Sequence, residues 1–297
     1  MPSERLFRLP AKIHANADGF ATLHDLHRHL LACADARIDA SGVEFLAANL
    51  AAPLLALLDH HRPAHRWPLL EETLPDRLRD VLTRNAFLGL YREEASADVV
   101  DERRSTIPLH RFAPSDADGF IDYLDSRLFD QHNVKANLEP AAAAEILGHY
   151  TEVFTNIEQH AATSLPVYAC GQYYPNEGKP QGSQVAFTLV DRGRGFLPAI
   201  HAREPTIADG AAAIAWAASG HTTKGDDHPG GRGLSSICQF CRQSAHAYIQ
   251  IYSSGAFWQY DGRQVKSRLY AEPWLPVTAI TLLFRDWQAT HPEGYSG

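Results

Sequence analysis

Residues 140–162 constrain the fold of this chain more than any other segment. They form an Ala-rich run of helical period opened by Glu139-Pro140, a proline suited to the first position of a helix. Within it, Thr-Glu-Val-Phe-Thr-Asn-Ile-Glu-Gln-His-Ala spans positions 151–161. Glu152, Asn156 and His160 recur every fourth residue and stack along one face. Val153, Phe154 and Ile157 point elsewhere and hold the helix on a core. A carboxylate, an amide and an imidazole in one column suit a metal-bound polyphosphate. They equally suit a solvated helix face, and the residues downstream must decide.

The chain has 297 residues, long for one domain and comfortable for two. Its 45% hydrophobic content is that of a globular protein. A net charge of -8 argues against a broad nucleic-acid surface, which needs a basic patch. No apolar run approaches a membrane span and the N-terminus lacks a signal-peptide pattern, so no membrane association and a cytoplasmic location are expected. Four cysteines are too few for a disulfide framework. Cys238 and Cys241 form a CxxC inside a helical pattern with no second pair, which leaves packed core thiols against a zinc or redox role. His60, His61 and His65, beside Pro63, read as a surface loop.

The first 115 residues alternate short strands with helices, the pattern of a small α/β unit. Strand patterns cover 5–9 and 36–40, and helical patterns cover 20–34, 43–58 and 78–88. The polar stretch 93–118 reads as a linker to a second domain over 116–297, entered through a short helix at 120–129.

In the second part, 165–174 and 184–190 are strands joined by the turn-rich Pro175-Asn176-Glu177-Gly178-Lys179-Pro180, an antiparallel hairpin. The second strand ends in Asp191-Arg192-Gly193-Arg194-Gly195-Phe196. An acid at a strand end can accept a hydrogen bond from an exocyclic base amine, and the glycines let backbone approach a ligand. A long polar segment follows, broken by an apolar helical run at 211–218. Pro229-Gly230-Gly231-Arg232-Gly233-Leu234 then opens a helix at 235–241, where free N–H groups form a phosphate cradle. Further strands are expected at 246–252, 257–260 and 277–284. Together these predict an α+β fold: a mostly antiparallel sheet with helices on one face.

The order of these boxes resembles the ATP-binding fold of the GHKL superfamily, over about residues 120–287. Its members are gyrase, heat-shock chaperone, histidine kinase and mismatch-repair ATPases, and anti-sigma kinases. The resemblance implies a Bergerat-type α/β sandwich that binds ATP and Mg²⁺. Asn156 would coordinate the metal, and Asp191 would read the adenine amine. Gly193 and Gly195 would shape the base pocket, while Gly231 and Gly233 would hold the triphosphate. Glu152 matches the carboxylate that polarises the attacking water or hydroxyl. Thr278 falls in the final box, where Val277 replaces a common Gly. Lys224 is either a γ-phosphate contact or a solvated lysine. His160 is either the histidine found there in anti-sigma kinases or a packed imidazole.

The run Ala36-Arg37-Ile38-Asp39-Ala40-Ser41-Gly42-Val43-Glu44-Phe45-Leu46, continuing to Leu58, resembles the central strand and following helix of STAS domains. Regulated STAS domains carry Asp-Ser-Ser-Gly at this turn, and Asp39-Ala40-Ser41-Gly42 lacks the first Ser. Ser41 is then a phosphosite by resemblance, or a plain helix N-cap by its residue type.

The function these resemblances imply is a regulatory Mg·ATP-binding protein. It would hydrolyse ATP slowly or phosphorylate a partner protein on Ser or Thr, with a homodimer as one assembly left open. The alternative is a non-catalytic switch whose nucleotide exposes a protein-binding face. A gyrase-like enzyme would need a transducer domain, and only about ten residues follow Trp287.

Overall fold

The computed structural model describes residues 5–94, 101–130, 140–175, 182–221, 233–244 and 247–285. The fold is α+β. Its N-terminal layer contains β1 (Leu6–Arg8), β2 (Lys12–Ile13), α1 (Ala17–Ala32), β3 (Arg37–Asp39), β4 (Phe45–Leu46), α2 (Ala51–His61), α3 (Asp76–Arg84) and α4 (Phe87–Tyr91). Next come β5 (Thr106–Phe112), α5 (Ala117–Tyr123), α6 (Pro140–His160), β6 (Val167–Tyr174) and β7 (Gln184–Asp191). The chain closes with α7 (Phe196–His201), α8 (Gly210–Ala218), α9 (Gly233–Gln243), β8 (Tyr248–Ser253), β9 (Ala256–Tyr260), β10 (Val265–Leu269) and β11 (Thr278–Arg285).

Seven strands form one sheet in the order β10-β9-β8-β11-β7-β6-β5, every pair antiparallel. The N-terminal layer makes two small parallel pairs, β1 with β3 and β2 with β4.

Alternation along the central strands sends residues to two cores. Val185, Phe187, Leu189, Ile280 and Leu282 meet α6 and α9 on one face. Tyr168, Cys170, Val190 and Ala279 meet α1 and α2 on the other. Helices therefore cover both faces, not one as the sequence suggests, because the strands are apolar at odd and even positions alike. A doubly apolar strand must be covered twice. The N-terminal layer supplies the second cover through Phe20, whose ring stacks on Tyr252 at 5.0 Å. Each large side chain so buried contributes about 1.5–3 kcal/mol.

Several local expectations change. The polar stretch read as a linker carries β5, an edge strand of the large sheet. Ser41 caps no helix: its N–H donates to Asp39 Oδ1 in an exposed turn, and α2 begins only at Ala51. The pattern at 78–88 breaks into α3 and α4 at Ala86, which adopts φ 63°. His61 and His65 are buried rather than on a surface loop. His61 Nε2 lies 2.8 Å from His27 Nδ1, joining α2 to α1. The all-exposed strand β10 has no apolar alternation and escapes a sequence reading. Among the described residues, no helix is long and apolar enough to cross a membrane.

Candidate functional site

Helix α6 buries Ile146, Tyr150, Val153, Phe154 and Ile157, a stripe of helical spacing. Tyr150 fixes its height on the sheet, its hydroxyl donating to the Phe187 carbonyl at 2.9 Å. This docking leaves Glu152, Asn156 and His160 beside the buried stripe of α6. All three are half-buried, while Glu158 and Gln159 are exposed. The polar column is therefore not the solvated face of the helix.

Asn156 and His160 line a cavity of about 140 Å³. Asp191, Gly195, Gly233 and Thr278 line it as well. Residues more than a hundred positions apart in sequence thus share one small space. Asp191 ends β7 opposite Thr278, the first residue of β11. It is 4% exposed, and its Oδ1 accepts the Gly193 N–H at 2.7 Å. Burial pushes its carboxyl up to about 6, against the smaller lowering effect of that hydrogen bond. Thr278 Oγ1 lies 3.0 Å from Ser253 Oγ, which fixes its hydroxyl beside the floor.

The loop after β7 is clamped at both ends. Arg194 donates its N–H to the Ala161 carbonyl and its Nε to the His160 carbonyl, each at 2.9 Å, capping the C-terminus of α6. A Cβ on Gly193 would run into the Ala161 carbonyl. Gly195 adopts φ 75°, and a Cβ there would meet Ser254 Oγ. Ser253 and Ser254 hydroxyls accept the Phe196 and Leu197 N–H groups, so the loop enters α7 in a fixed direction.

Glu152 does not line the cavity but sits against the start of α9. A Cβ on Gly233 would fall 2.8 Å from the Glu152 carboxyl carbon. The glycine therefore lets a carboxylate reach a helix N-terminus. Lys224 and Gly231 lie outside the described residues.

Apolar walls complete the cavity, from residues that no local sequence pattern marks as site residues. Phe196 and Ile200 come from α7, and Trp216 and Ala217 from α8. The Trp216 ring stacks on His221 with centroids 5.1 Å apart and planes 20° apart. The apolar run at 211–218 carries the signal for Trp216, but nothing local marks which side of it faces the site.

A space with flat apolar walls and one buried carboxyl at its floor fits a planar heterocycle bearing an amine donor. Cys238 and Cys241 are buried on α9 within the core, and burial raises their thiols to about 11 and about 12. Thiolate chemistry is disfavoured at both. Among the described residues, no group of three or more His, Cys, Asp or Glu is arranged to hold a metal ion. A divalent cation at this site would be held by a ligand's phosphates with Asn156, the sparse protein coordination that Mg²⁺ accepts. Neither a family model nor a curated protein matches the chain.

Proposed function

We propose that the chain is a regulatory nucleotide-binding protein of the GHKL type, taking Mg·ATP in the cavity between α6, the end of β7 and α9. The observation that carries this reading is the meeting of Asn156, Asp191, Gly233 and Thr278 around one cavity. In this reading Asp191 accepts the adenine amine, with Gly193 holding its carboxylate in place. Gly193 and Gly195 keep side chains out of the base pocket, and Trp216 and Phe196 flank the ring. The Asn156 amide oxygen would hold Mg²⁺, whose chemistry when bound would be to draw charge from the phosphates. Gly233 opens α9 towards the phosphates, while Gly231 and Lys224, outside the described residues, are phosphate contacts by the resemblance alone. Glu152, one turn before Asn156, orients and deprotonates the attacking water or the hydroxyl of a partner.

Incubating the protein with γ-labelled ATP and candidate partner proteins tests this. Label released as phosphate marks an ATPase, and label on protein marks a kinase. The absence of any Mg-dependent ATP binding overturns the reading.

A second reading, a switch that binds without turnover, is favoured by one connection. Arg192, beside Asp191, has its guanidinium 5.9 Å from the Tyr168 ring centroid. The Tyr168 hydroxyl donates to Asp59 on α2 at 2.7 Å. The nucleotide loop is thereby tied to the N-terminal layer, which resembles a STAS module with Ser41 exposed at its turn. ATP binding without phosphate release or transfer is the outcome that selects this alternative.

A further inference from the structure

The sheet has a second cavity on its other face, of about 390 Å³, between the N-terminal layer and strands β7, β8, β9 and β11. Its volume falls within the range of small-molecule sites. Sheets packed against helices normally fill such a space with aliphatic side chains. Here the strand residues facing the N-terminal layer turn polar at one end, with Gln184, Tyr248, Gln250, Gln259 and Thr281 on the wall.

Part of this polarity is consumed internally. Gln250 Nε2 donates to the Ala15 carbonyl and to Gln259 Oε1, each at 3.0 Å. Those bonds leave Gln250 Oε1 as an acceptor and the Gln259 amide nitrogen as a donor. The Gln184 side chain and the Tyr248 hydroxyl line the cavity and make no hydrogen bond to another described residue. The described lining residues include no carboxylate, lysine or arginine. Among the described lining residues His14 alone can carry a positive charge, so an anion would give up its hydration for a single imidazole and a cation would gain no partner at all. A neutral ligand with several donors and acceptors would be matched by the amides, and the rings of Phe45, Tyr174 and Tyr248 offer flat apolar surface.

We infer that this interlayer cavity binds a neutral polyhydroxylated ring, supplied as a free sugar or as the ribose of a nucleoside. Its occupant bears on the first cavity through β11. Thr278 and Ile280 line that cavity, while Thr281 and Leu283 line this one. Asn49 Nδ2 donates to Thr188 Oγ1 at 3.3 Å, and Thr188 Oγ1 lies 2.7 Å from Thr281 Oγ1, joining the N-terminal layer to the same strand. The site does not depend on the nucleotide reading.

Titration calorimetry on the full chain tests this with glucose, maltose, adenosine and uridine, and with glucose 6-phosphate and glucuronate as charged controls. Saturable binding of a neutral compound is expected, absent for the charged ones and weakened at least tenfold by Gln184→Leu and by Tyr248→Phe. Both substitutions preserve side-chain bulk, and circular dichroism verifies the fold. Sugar-only or nucleoside-only binding identifies the source. Adenosine binding that is lost in Asp191→Asn but survives Gln184→Leu belongs to the first cavity and counts against the inference. Failure of every neutral compound to bind, or binding indifferent to both substitutions, overturns it.

Discussion

The N–H of Gly193 donates to the buried carboxyl of Asp191 at 2.7 Å, two residues back along the same loop. One short turn thereby aims an acid into a cavity and keeps the glycine against the end of α6. Burial dominates the acid's energetics, and its carboxyl rises to about 6.

A raised carboxyl favours the protonated form in the fold. Its contribution to stability is full below the ordinary carboxylate value and is lost as pH rises through about 6. Asp191→Asn should therefore stabilise the ligand-free protein at pH 7, by about 1–3 kcal/mol. The same substitution should abolish binding of an amine-bearing base, and wild-type affinity should fall as pH drops below about 6. Urea unfolding and ATP calorimetry at several pH values measure both effects. A destabilised Asp191→Asn at pH 7 would contradict the burial account.

On the proposed function, Asn156→Ala should lower Mg-dependent ATP affinity at least tenfold, about 1.4 kcal/mol, because the metal would lose its protein ligand. Equal calorimetric affinity for the variant and the wild type sinks the metal assignment. Glu152→Ala should bind ATP but lose turnover, and undiminished phosphate release would remove Glu152 from the base role.

Gly193→Val should destabilise the fold by about 1–3 kcal/mol, since the new side chain meets the Ala161 carbonyl and prises the loop from α6. Thermal unfolding reports this directly. An unchanged midpoint would mean that the loop shifts freely, contrary to its clamping by Arg194.

Asp59 accepts from Arg62 Nη2 at 2.8 Å, Arg111 Nη2 at 2.6 Å and the Tyr168 hydroxyl. Asp59→Ala leaves the half-buried Arg111 guanidinium without this partner and Arg62 with only the exposed Glu93, and should cost about 1–3 kcal/mol. If chemical denaturation shows a loss under 1 kcal/mol, the cluster is not the clasp between α2 and the sheet.

Burial lowers His27 to about 4 and His61 to about 3, helped by the mutual repulsion of neighbouring imidazoles. A lowered histidine contributes stability that is full above its ordinary value near 6.5 and is lost as pH falls through the folded value. The midpoint of unfolding should therefore decline as pH falls from about 6.5 towards 4. His27→Asn with His61→Gln should flatten that decline, and a slope equal to wild type's would exclude these imidazoles as its source.

Much of the site is legible in sequence, because each local piece is dictated by local chemistry. The helical spacing of Ile146, Tyr150, Val153 and Ile157 fixes which face of α6 is buried, and hence where Asn156 and His160 can point. The short apolar run 184–190 marks a strand that ends at Asp191, where glycines 193 and 195 interrupt it. Tertiary structure decided what those pieces meet. The half-burial of the polar column, the rise of the Asp191 carboxyl and the approach of Glu152 to Gly233 depend on neighbours far off in sequence, Gly233 lying 81 positions from Glu152 and Thr278 lying 87 from Asp191, and no local pattern encodes them. The same holds for Trp216, whose side of α8 is set by packing against α7 and α9. The second cover of the sheet is the clearest case. Tyr168, Val190 and Ala279 announce an apolar back face, but only the docked α1 and α2 show that the same chain covers it. Periodicity fixes which side of an element is buried, and only the assembled fold fixes its partner.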